Sequence, residues 1–534
     1  MALGLFLSRC DGKMMGTLDL DALARDAGSE AASVMVFDSF FDEAAERTMV
    51  EEVTKHGIDA VVLAGHSVGF YEHSISGRYL WDRLEQVGVN RNRVVAANLL
   101  QQVDWAHAGD PAGAHEKAKA LIAVAALEAQ TRPPAEGVAT EPVHSALILG
   151  ATAEALVAAQ RLLDLGFEVL VADRDSVSDG FARDHALVAT SAYVLGHPKA
   201  SFADGARMTD GSGWIGDHDI ELETARGTVE FKAGGILLAD PADTRWVEEL
   251  RLHFKVDVDD DGHARSLDPE RHPAETEVRG ILVVPVYGDG EPALRDRVAA
   301  ADSAALALVM RLTKPTVFHH LYTSRVDETL CGGCASCVRT CAFGACSVHD
   351  DRLSHVDERR CRGCGKCVVS CPVGARDLVS SPHRYLMDAI GLLADRWGAG
   401  PKVLGFLCSG CGYPAADRSG NAIAEGTEPY PASFLPVRIP CGGRLDALYV
   451  LEAFKRGFDA VTVFRCREGH CHNLIGNVDM DRRINLLRTV LRARAIDPER
   501  LRIVDISPDD GAGFAGAVNS LYADLALTSA GGAR

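Results

Sequence analysis

Fourteen of the fifteen cysteines of this 534-residue chain lie between Cys331 and Cys471; only Cys10 stands outside that stretch. An odd number crowded into a quarter of the chain is a poor basis for a disulfide framework, and such clustering points to metal instead. The order is regular. Cys331-x2-Cys334-x2-Cys337-x3-Cys341 is followed by Cys361-x2-Cys364-x2-Cys367-x3-Cys371-Pro372. Three thiolates at this spacing wrap one cubane, and the fourth reaches the other. The sequence therefore predicts two [4Fe-4S] clusters, one on Cys331, Cys334, Cys337 and Cys371, the other on Cys361, Cys364, Cys367 and Cys341. Gly332, Gly333, Gly363 and Gly365 suit loops whose amides turn toward sulfide. Ala342 replaces the usual proline after the fourth cysteine of the first block and removes no ligand. Cys346 belongs to neither motif and reads as a buried neighbour. A zinc ribbon would use two CxxC pairs and leave half of these cysteines unexplained.

Five cysteines remain. Cys408 and Cys411 close the apolar run Val403–Leu407, Cys441 follows Phe434–Pro440, and Cys466 and Cys471 follow Ala460–Phe464. Three strand ends thus deliver thiolates to one crevice, the usual ligand position of an open α/β sheet. Five soft ligands there suit iron–sulfur or zinc. A [2Fe-2S] cluster takes four of Cys408, Cys411, Cys441, Cys466 and Cys471 and leaves one spare; its ability to extend a redox path favours it over zinc. His470 and His472 are candidate ligands or hydrogen-bond partners of sulfur, or ordinary polar residues capping the next helix.

The first 330 residues are nearly free of cysteine. Residues 1–130 alternate short apolar strands (Leu3–Leu7, Ser33–Phe37, Ala60–Leu63, Val94–Asn98) with amphipathic helices, the pattern of a parallel α/β sheet. Thr131 to Pro142 reads as a linker. Ser145–Ile148, Gly150, a helix through Leu163, Glu168–Ala172 and Asp173 then repeat the order of a dinucleotide-binding unit. Its turn has glycine only at Gly150; Thr152 and Ala155 occupy the other two glycine positions. A Rossmann-like packing unit without nucleotide is the plainer reading, and FAD on Gly150, Thr152, Ala155 and Asp173 the alternative. Acids outnumber bases 75 to 55, a net charge of −20, which disfavours binding to nucleic acid. No apolar run approaches the ~18 residues of a membrane span, and the N-terminus lacks a basic leader. The expectation is a cytoplasmic protein.

The C-terminal block Phe406-Leu407-Cys408-Ser409-Gly410-Cys411-Gly412-Tyr413, with Ile439-Pro440-Cys441-Gly442-Gly443-Arg444 and Cys471-His472-Asn473 before Gly476-Asn477, resembles the delta subunit of methyl-viologen-reducing hydrogenase. The remainder is similar to the A subunit of heterodisulfide reductase. Ser8-Arg9-Cys10, the stretch from His73 through Trp105-Ala106-His107 to Lys117-Ala118, Gly288-Asp289-Gly290 before an Ala-rich helix, and the double cysteine block carry that likeness. Fused chains of this kind also occur in quinone-interacting membrane-bound oxidoreductase and benzoyl-CoA reductase complexes. The resemblance implies FAD, which the turn at Thr152 departs from. It also implies an extra N-terminal cluster, for which Cys10 alone is insufficient.

The expected architecture is multidomain α/β, with Rossmann-like parallel sheets, a bacterial 2×[4Fe-4S] ferredoxin-like domain and a C-terminal α/β iron–sulfur domain. Its parts are an N-terminal α/β domain (1–130), a linker (131–142), a degenerate flavoprotein-derived Rossmann-like domain (143–325), the ferredoxin domain (326–378), a connecting helix (379–401) and a hydrogenase delta-like [2Fe-2S] domain (402–527). No catalytic dyad or nucleophile–base pair can be assigned. The function expected is a non-catalytic electron-transfer subunit, relaying electrons between other subunits of a heterodisulfide reductase-like complex. The alternatives are a zinc-bearing interaction scaffold and an FAD-containing bifurcating or quinone-linked subunit.

Overall fold

The computed structural model describes residues 1–531 apart from 29, 184, 260–261, 265–271, 285–292 and 399. In the N-terminal unit the strands Ser33–Phe37, Leu3–Ser8, Ala60–Gly65 and Val94–Asn98 lie side by side in that order, all parallel. Leu3–Ser8 and Ala60–Gly65 are buried along their whole length. Strands covered on both faces carry continuous apolar runs. Helices Leu20–Ala27 and Pro111–Thr131 pack on one face, and Glu43–His56 and Ile75–Gln86 on the other.

A second parallel sheet runs in the order Ile281–Val283, Gly235–Leu238, Ser145–Leu149, Glu168–Ala172, Ala200–Ala203. Helices Ala153–Asp164 and Leu294–Leu312 cover one face. A three-stranded antiparallel meander (Arg207–Trp214, Asp217–Thr224, Gly227–Ala233) and helix Thr244–Phe254 cover the other. The segment 131–142, expected as a linker, contains the strand Gly137–Thr140, paired antiparallel with Val317–His320. Its prolines sit on either side of Val138–Thr140, which leaves those residues free to pair at an edge. Gly288-Asp289-Gly290 lies outside the described residues.

Two short antiparallel pairs frame the double cysteine block: Ser324–Val326 with Arg376–Leu378, and Cys346–Val348 with Ser354–Val356. The chain then passes through helix His383–Arg396 into a third parallel sheet, ordered Phe434–Ile439, Val403–Cys408, Ala460–Cys466, Leu501–Ile506. Among the described residues no helix is long and apolar enough to cross a membrane.

Helix Pro111–Thr131 binds the first unit to the last. Ala114, Ala118 and Leu121 face the N-terminal sheet, while Ala120 and Val124 enter the C-terminal core beside Tyr385 and Leu386. Small residues on both flanks let two units approach one helix. At the same junction Lys117 is fully buried, its Nζ 2.9 Å from His107 Nε2 and 4.7 Å over the Tyr430 ring. Asn98 Nδ2 and Gln102 Nε2 donate to Asp417 Oδ1 at 2.7 and 2.6 Å. Burial outweighs these donors and pushes the Asp417 carboxyl up to about 7. Between roughly pH 4 and that value the folded chain keeps a proton that the unfolded chain releases. Stability therefore falls by about 1.4 kcal/mol per pH unit across the window. Asp417→Asn is expected to flatten that slope, measured as the urea midpoint at a series of pH values.

Candidate metal centres

The double cysteine block is an internal repeat with an offset of 30 residues. Asp327 and Asp357 open the two loops, their carbonyls accepting from Cys331 N and Cys361 N at 3.1 and 2.9 Å. Ala335 and Gly365 both take the left-handed conformation (φ +58° and +76°) that turns each loop into its short helix. The strand entering the first loop pairs with the strand leaving the second, and the reverse holds for the other pair. This pairing carries each fourth cysteine across to the opposite loop. Cys331, Cys334, Cys337 and Cys371 accordingly line one open cavity of about 330 Å³. Cys334 is exposed, and Leu330 and Val373 flank this loop at 51% and 55% exposure.

The other four thiols, Cys341, Cys361, Cys364 and Cys367, lie within electrostatic reach of one another. Cys346 is buried in one small cluster with Cys337 and Cys367, with Cys341 packed against it; its thiol beside them draws Cys341 and Cys367 down to about 6. The repeat partner of Cys346 is Arg376, whose guanidinium donates to Cys337 Sγ at 3.3 Å and also contacts Ser354 Oγ. Both thiol sets match the donor chemistry and grouping of cubane sites.

In the C-terminal sheet the expected strand ends are neighbours, and all five thiols are buried at their carboxyl ends. Cys408 and Cys466 Sγ atoms are 3.8 Å apart. Cys408 is held well below the usual thiol range by Cys411 and Cys466, with the amides of Cys411 and Gly412 at 3.4 Å. Cys471 is lowered by Cys441 and Cys466, and Cys441 is raised in turn. Gly443 N donates to Cys441 Sγ at 3.3 Å. A cleft of about 260 Å³ opens beside Cys411, lined by Arg467, His470, His472 and Ser507. The donor set fits a soft metal or a small iron–sulfur core.

The second and third thiol groups adjoin. Cys364 packs against the buried cluster that holds Cys408, Cys411, Cys441, Cys466 and Cys471. Lys366, beside Cys367, is buried in an ion pair with Asp479 at 2.6 Å. Arg444 is fully buried and donates to Tyr449 Oη at 2.6 Å and to Ser381 O at 3.3 Å.

The dinucleotide turn is arranged differently. Gly150 has φ +96°, and a Cβ there would run into Asp240. Ala151 N donates to Asp173 Oδ2 at 2.8 Å. Thr152 Oγ1 caps helix Ala153–Asp164 by accepting from Ala155 N at 3.2 Å, and donates to Ala239 O at 3.1 Å across the crevice. Helix Val177–Ala182 closes over the turn, so that a Cβ on Gly180 would strike Ala151. Burial, Asp243 and Asp173 together raise the Asp240 carboxyl. Thr152 spans the position where pyrophosphate would approach bare backbone, and carboxylates crowd the mouth. These residues do not fit a flavin pyrophosphate. At the N-terminus, Cys10 is a single buried thiol pushed up to about 12 by burial, its Sγ 3.6 Å from Ser8 O.

Fold and thiol grouping together define an iron–sulfur protein of the electron-transfer class. A family model described as methyl-viologen-reducing hydrogenase, delta subunit, matches residues 403–527, and one for a 4Fe-4S binding domain matches residues 353–375. The iron-sulfur D subunit of the vhc F420-non-reducing hydrogenase of Methanococcus voltae is 36% identical over 130 residues, 24% of this chain and 86% of that protein. The chain belongs to this hydrogenase iron–sulfur family through its C-terminal region. The A subunit of the ferredoxin:CoB-CoM heterodisulfide reductase of Methanosarcina mazei is 32% identical over 260 residues, 49% of this chain. The chain spans about a third of that relative's length, 32%. The T. acidophilum thioredoxin reductase structure overlaps at TM-score 0.23 and 11% identity, covering 31% of this chain and 98% of that one.

Sequence reasoning missed Arg376, Arg444 and Asp257, the last with its Oδ1 2.8 Å from His472 Nε2. Arg376 was legible as the repeat position of Cys346. Arg444 stands in the Cys441 block, but only the docking of the ferredoxin-like loop brings Gly365 against it; Asp257 comes from a segment that carries no cysteine pattern. Arg444 also gives a direct test of how the ferredoxin-like loop is seated, because a Cβ on Gly365 would overlap its side chain. Gly365→Ala is expected to lower the unfolding free energy by about 1–3 kcal/mol, measured by anoxic thermal melting.

Proposed function

We propose that this chain is an electron-transfer subunit of a heterodisulfide reductase-like complex, relaying electrons between partner subunits through two [4Fe-4S] clusters and one [2Fe-2S] cluster. The observation that carries the reading is the continuity of three thiol groups. The first opens at the surface, the second is its repeat twin joined to it by the crossed strand pairs, and the third packs against Cys364 of the second. Iron–sulfur cores supply one-electron chemistry, with potentials set by burial, hydrogen bonds to sulfur and nearby charge.

The residues of the chain then have separate tasks. Cys331, Cys334, Cys337 and Cys371 hold the surface centre; Cys361, Cys364, Cys367 and Cys341 hold the second; four donors of the C-terminal group hold the third. Arg376 and the amides of Gly412 and Gly443 place positive charge on sulfur and favour the reduced state. Leu330 and Val373 provide an apolar rim on which a redox partner can seat. The names of the relatives, subunits of heterodisulfide reductase and hydrogenase, support partners of that class. The crowded turn at Thr152 argues against a flavin route.

Iron, sulfide, zinc and flavin content of anoxically purified protein tests the reading, together with visible absorbance bleached by dithionite. Iron and sulfide in near-equal amounts, with little zinc and no flavin, are expected. A colourless, zinc-loaded, folded protein would instead favour the scaffold. Cys371→Ala is expected to remove about four irons per chain and the signal of the surface centre while sparing the second, despite lying in the second motif. Cys341→Ala should do the converse, read by iron analysis and by EPR of the reduced protein.

A further inference from the structure

The C-terminal crevice contains a sixth donor. His472 Nδ1 lies 3.3 Å from Cys466 Sγ and 3.8 Å from Cys411 Sγ, and the donor atoms of Cys411, Cys466 and His472 all fall within 4.8 Å of one another. The other ring nitrogen, Nε2, is 2.8 Å from Asp257 Oδ1. An ionised carboxylate only accepts, so Nε2 carries the proton and Nδ1 is the nitrogen turned toward sulfur. Without a metal Nδ1 can only share a proton with these thiolates; with a metal between them the same nitrogen is placed to ligate.

The spacing suits such a metal. Tetrahedral bonds of 2.3 Å to sulfur and 2.0–2.1 Å to nitrogen, those of zinc, give edges of roughly 3.8 Å between sulfurs and roughly 3.6 Å between nitrogen and sulfur. The contacts of His472 Nδ1 lie near that edge, 3.8 Å to Cys411 Sγ and 3.3 Å to Cys466 Sγ, and an iron with two terminal protein ligands would pair His472 with one of these thiolates. Room for the imidazole is built in, since a Cβ on Gly410 would come within 2.6 Å of His472 Nδ1.

Asp257 comes from the Rossmann-like unit, just past helix Thr244–Phe254 and the left-handed Lys255 (φ +68°). The same helix sends Arg251 Nη2 to Gly469 O at 2.7 Å. The unit without a fitting flavin turn is thus clamped onto the loop between Cys466 and Cys471. Metal-bound histidines almost always donate their second N–H to a carboxylate or carbonyl, which sets tautomer and ring orientation.

We infer that His472 Nδ1 is a nitrogen ligand of the C-terminal centre on the side of Cys411 and Cys466, with Asp257 as the positioning residue that holds its ring; three of the five thiols complete the set. This rests on the [2Fe-2S] reading above. Histidine in place of cysteine raises the potential of a [2Fe-2S] centre, so the Rossmann-like unit would tune the cluster through one carboxylate.

Pulsed EPR of the dithionite-reduced full chain, prepared with natural and 15N-labelled histidine, tests the inference without assaying turnover. A strongly coupled 14N on the [2Fe-2S] signal, replaced by 15N on labelling and lost in His472→Cys with a shift to lower midpoint potential, is expected. Asp257→Asn is expected to retain iron and sulfide but alter the coupling. A wild-type [2Fe-2S] signal with no strongly coupled nitrogen overturns the inference and leaves the electron-transfer reading standing. Absence of any [2Fe-2S] signal overturns both. The labelled wild-type protein decides the matter even if His472→Cys does not fold.

Discussion

Thiolates cannot be gathered in a protein interior without positive charge between them. Two such charges 4 Å apart repel by about 4 kcal/mol even at an effective dielectric of 20, and this chain buries five thiols at the ends of one sheet. The polypeptide lessens the repulsion by seating a neutral thiol, Cys346, beside Cys341 and Cys367. It also aims backbone amides at sulfur, as at Cys408 and Cys441. Neither device neutralises so many anions. The glycine-rich turns, the buried guanidinium of Arg376 and the placement of thiols on neighbouring strand ends all become intelligible once inorganic cores supply the missing charge.

The same constraint explains the internal repeat. Pairing the strand before one loop with the strand after the other is a local hydrogen-bonding matter, yet it commits each loop to borrow a thiol from its twin. The two halves are unequal in one respect. At equivalent positions one carries Arg376 and the other Cys346, so a full positive charge faces Cys337 where a weak donor faces Cys367. The second half is further enclosed by Lys366, Asp479 and Arg444. Surface exposure and burial therefore divide between halves with almost the same backbone.

Much of this was legible in the sequence because cysteine spacing encodes short-range geometry. The two four-cysteine motifs, and the three apolar runs ending in thiols, state directly which backbone segments must turn back on themselves. The strand–helix alternation of the first 130 residues was equally plain, since parallel strands buried on both faces carry uninterrupted apolar runs. What the sequence concealed depends on contacts between distant segments. The strand Gly137–Thr140 looked like a linker because its prolines flank the paired residues. Asp257 carries no motif, and only the docking of its helix brings it to His472. Whether the turn at Thr152 could accept pyrophosphate depended on Asp240 and Gly180, neither of them in the fingerprint.

Helix Pro111–Thr131 has a consequence for how the chain is made. Each of its flanks belongs to a different core, so neither terminal region is finished until the other has been synthesised. During translation the alanine-rich flank stays wet until the last sheet emerges, roughly 300 residues later by position along the chain. A ribosome stalled in between would leave a half-clad intermediate for chaperones to shelter, and dividing the gene there would oblige two separate products to find each other before either was sound.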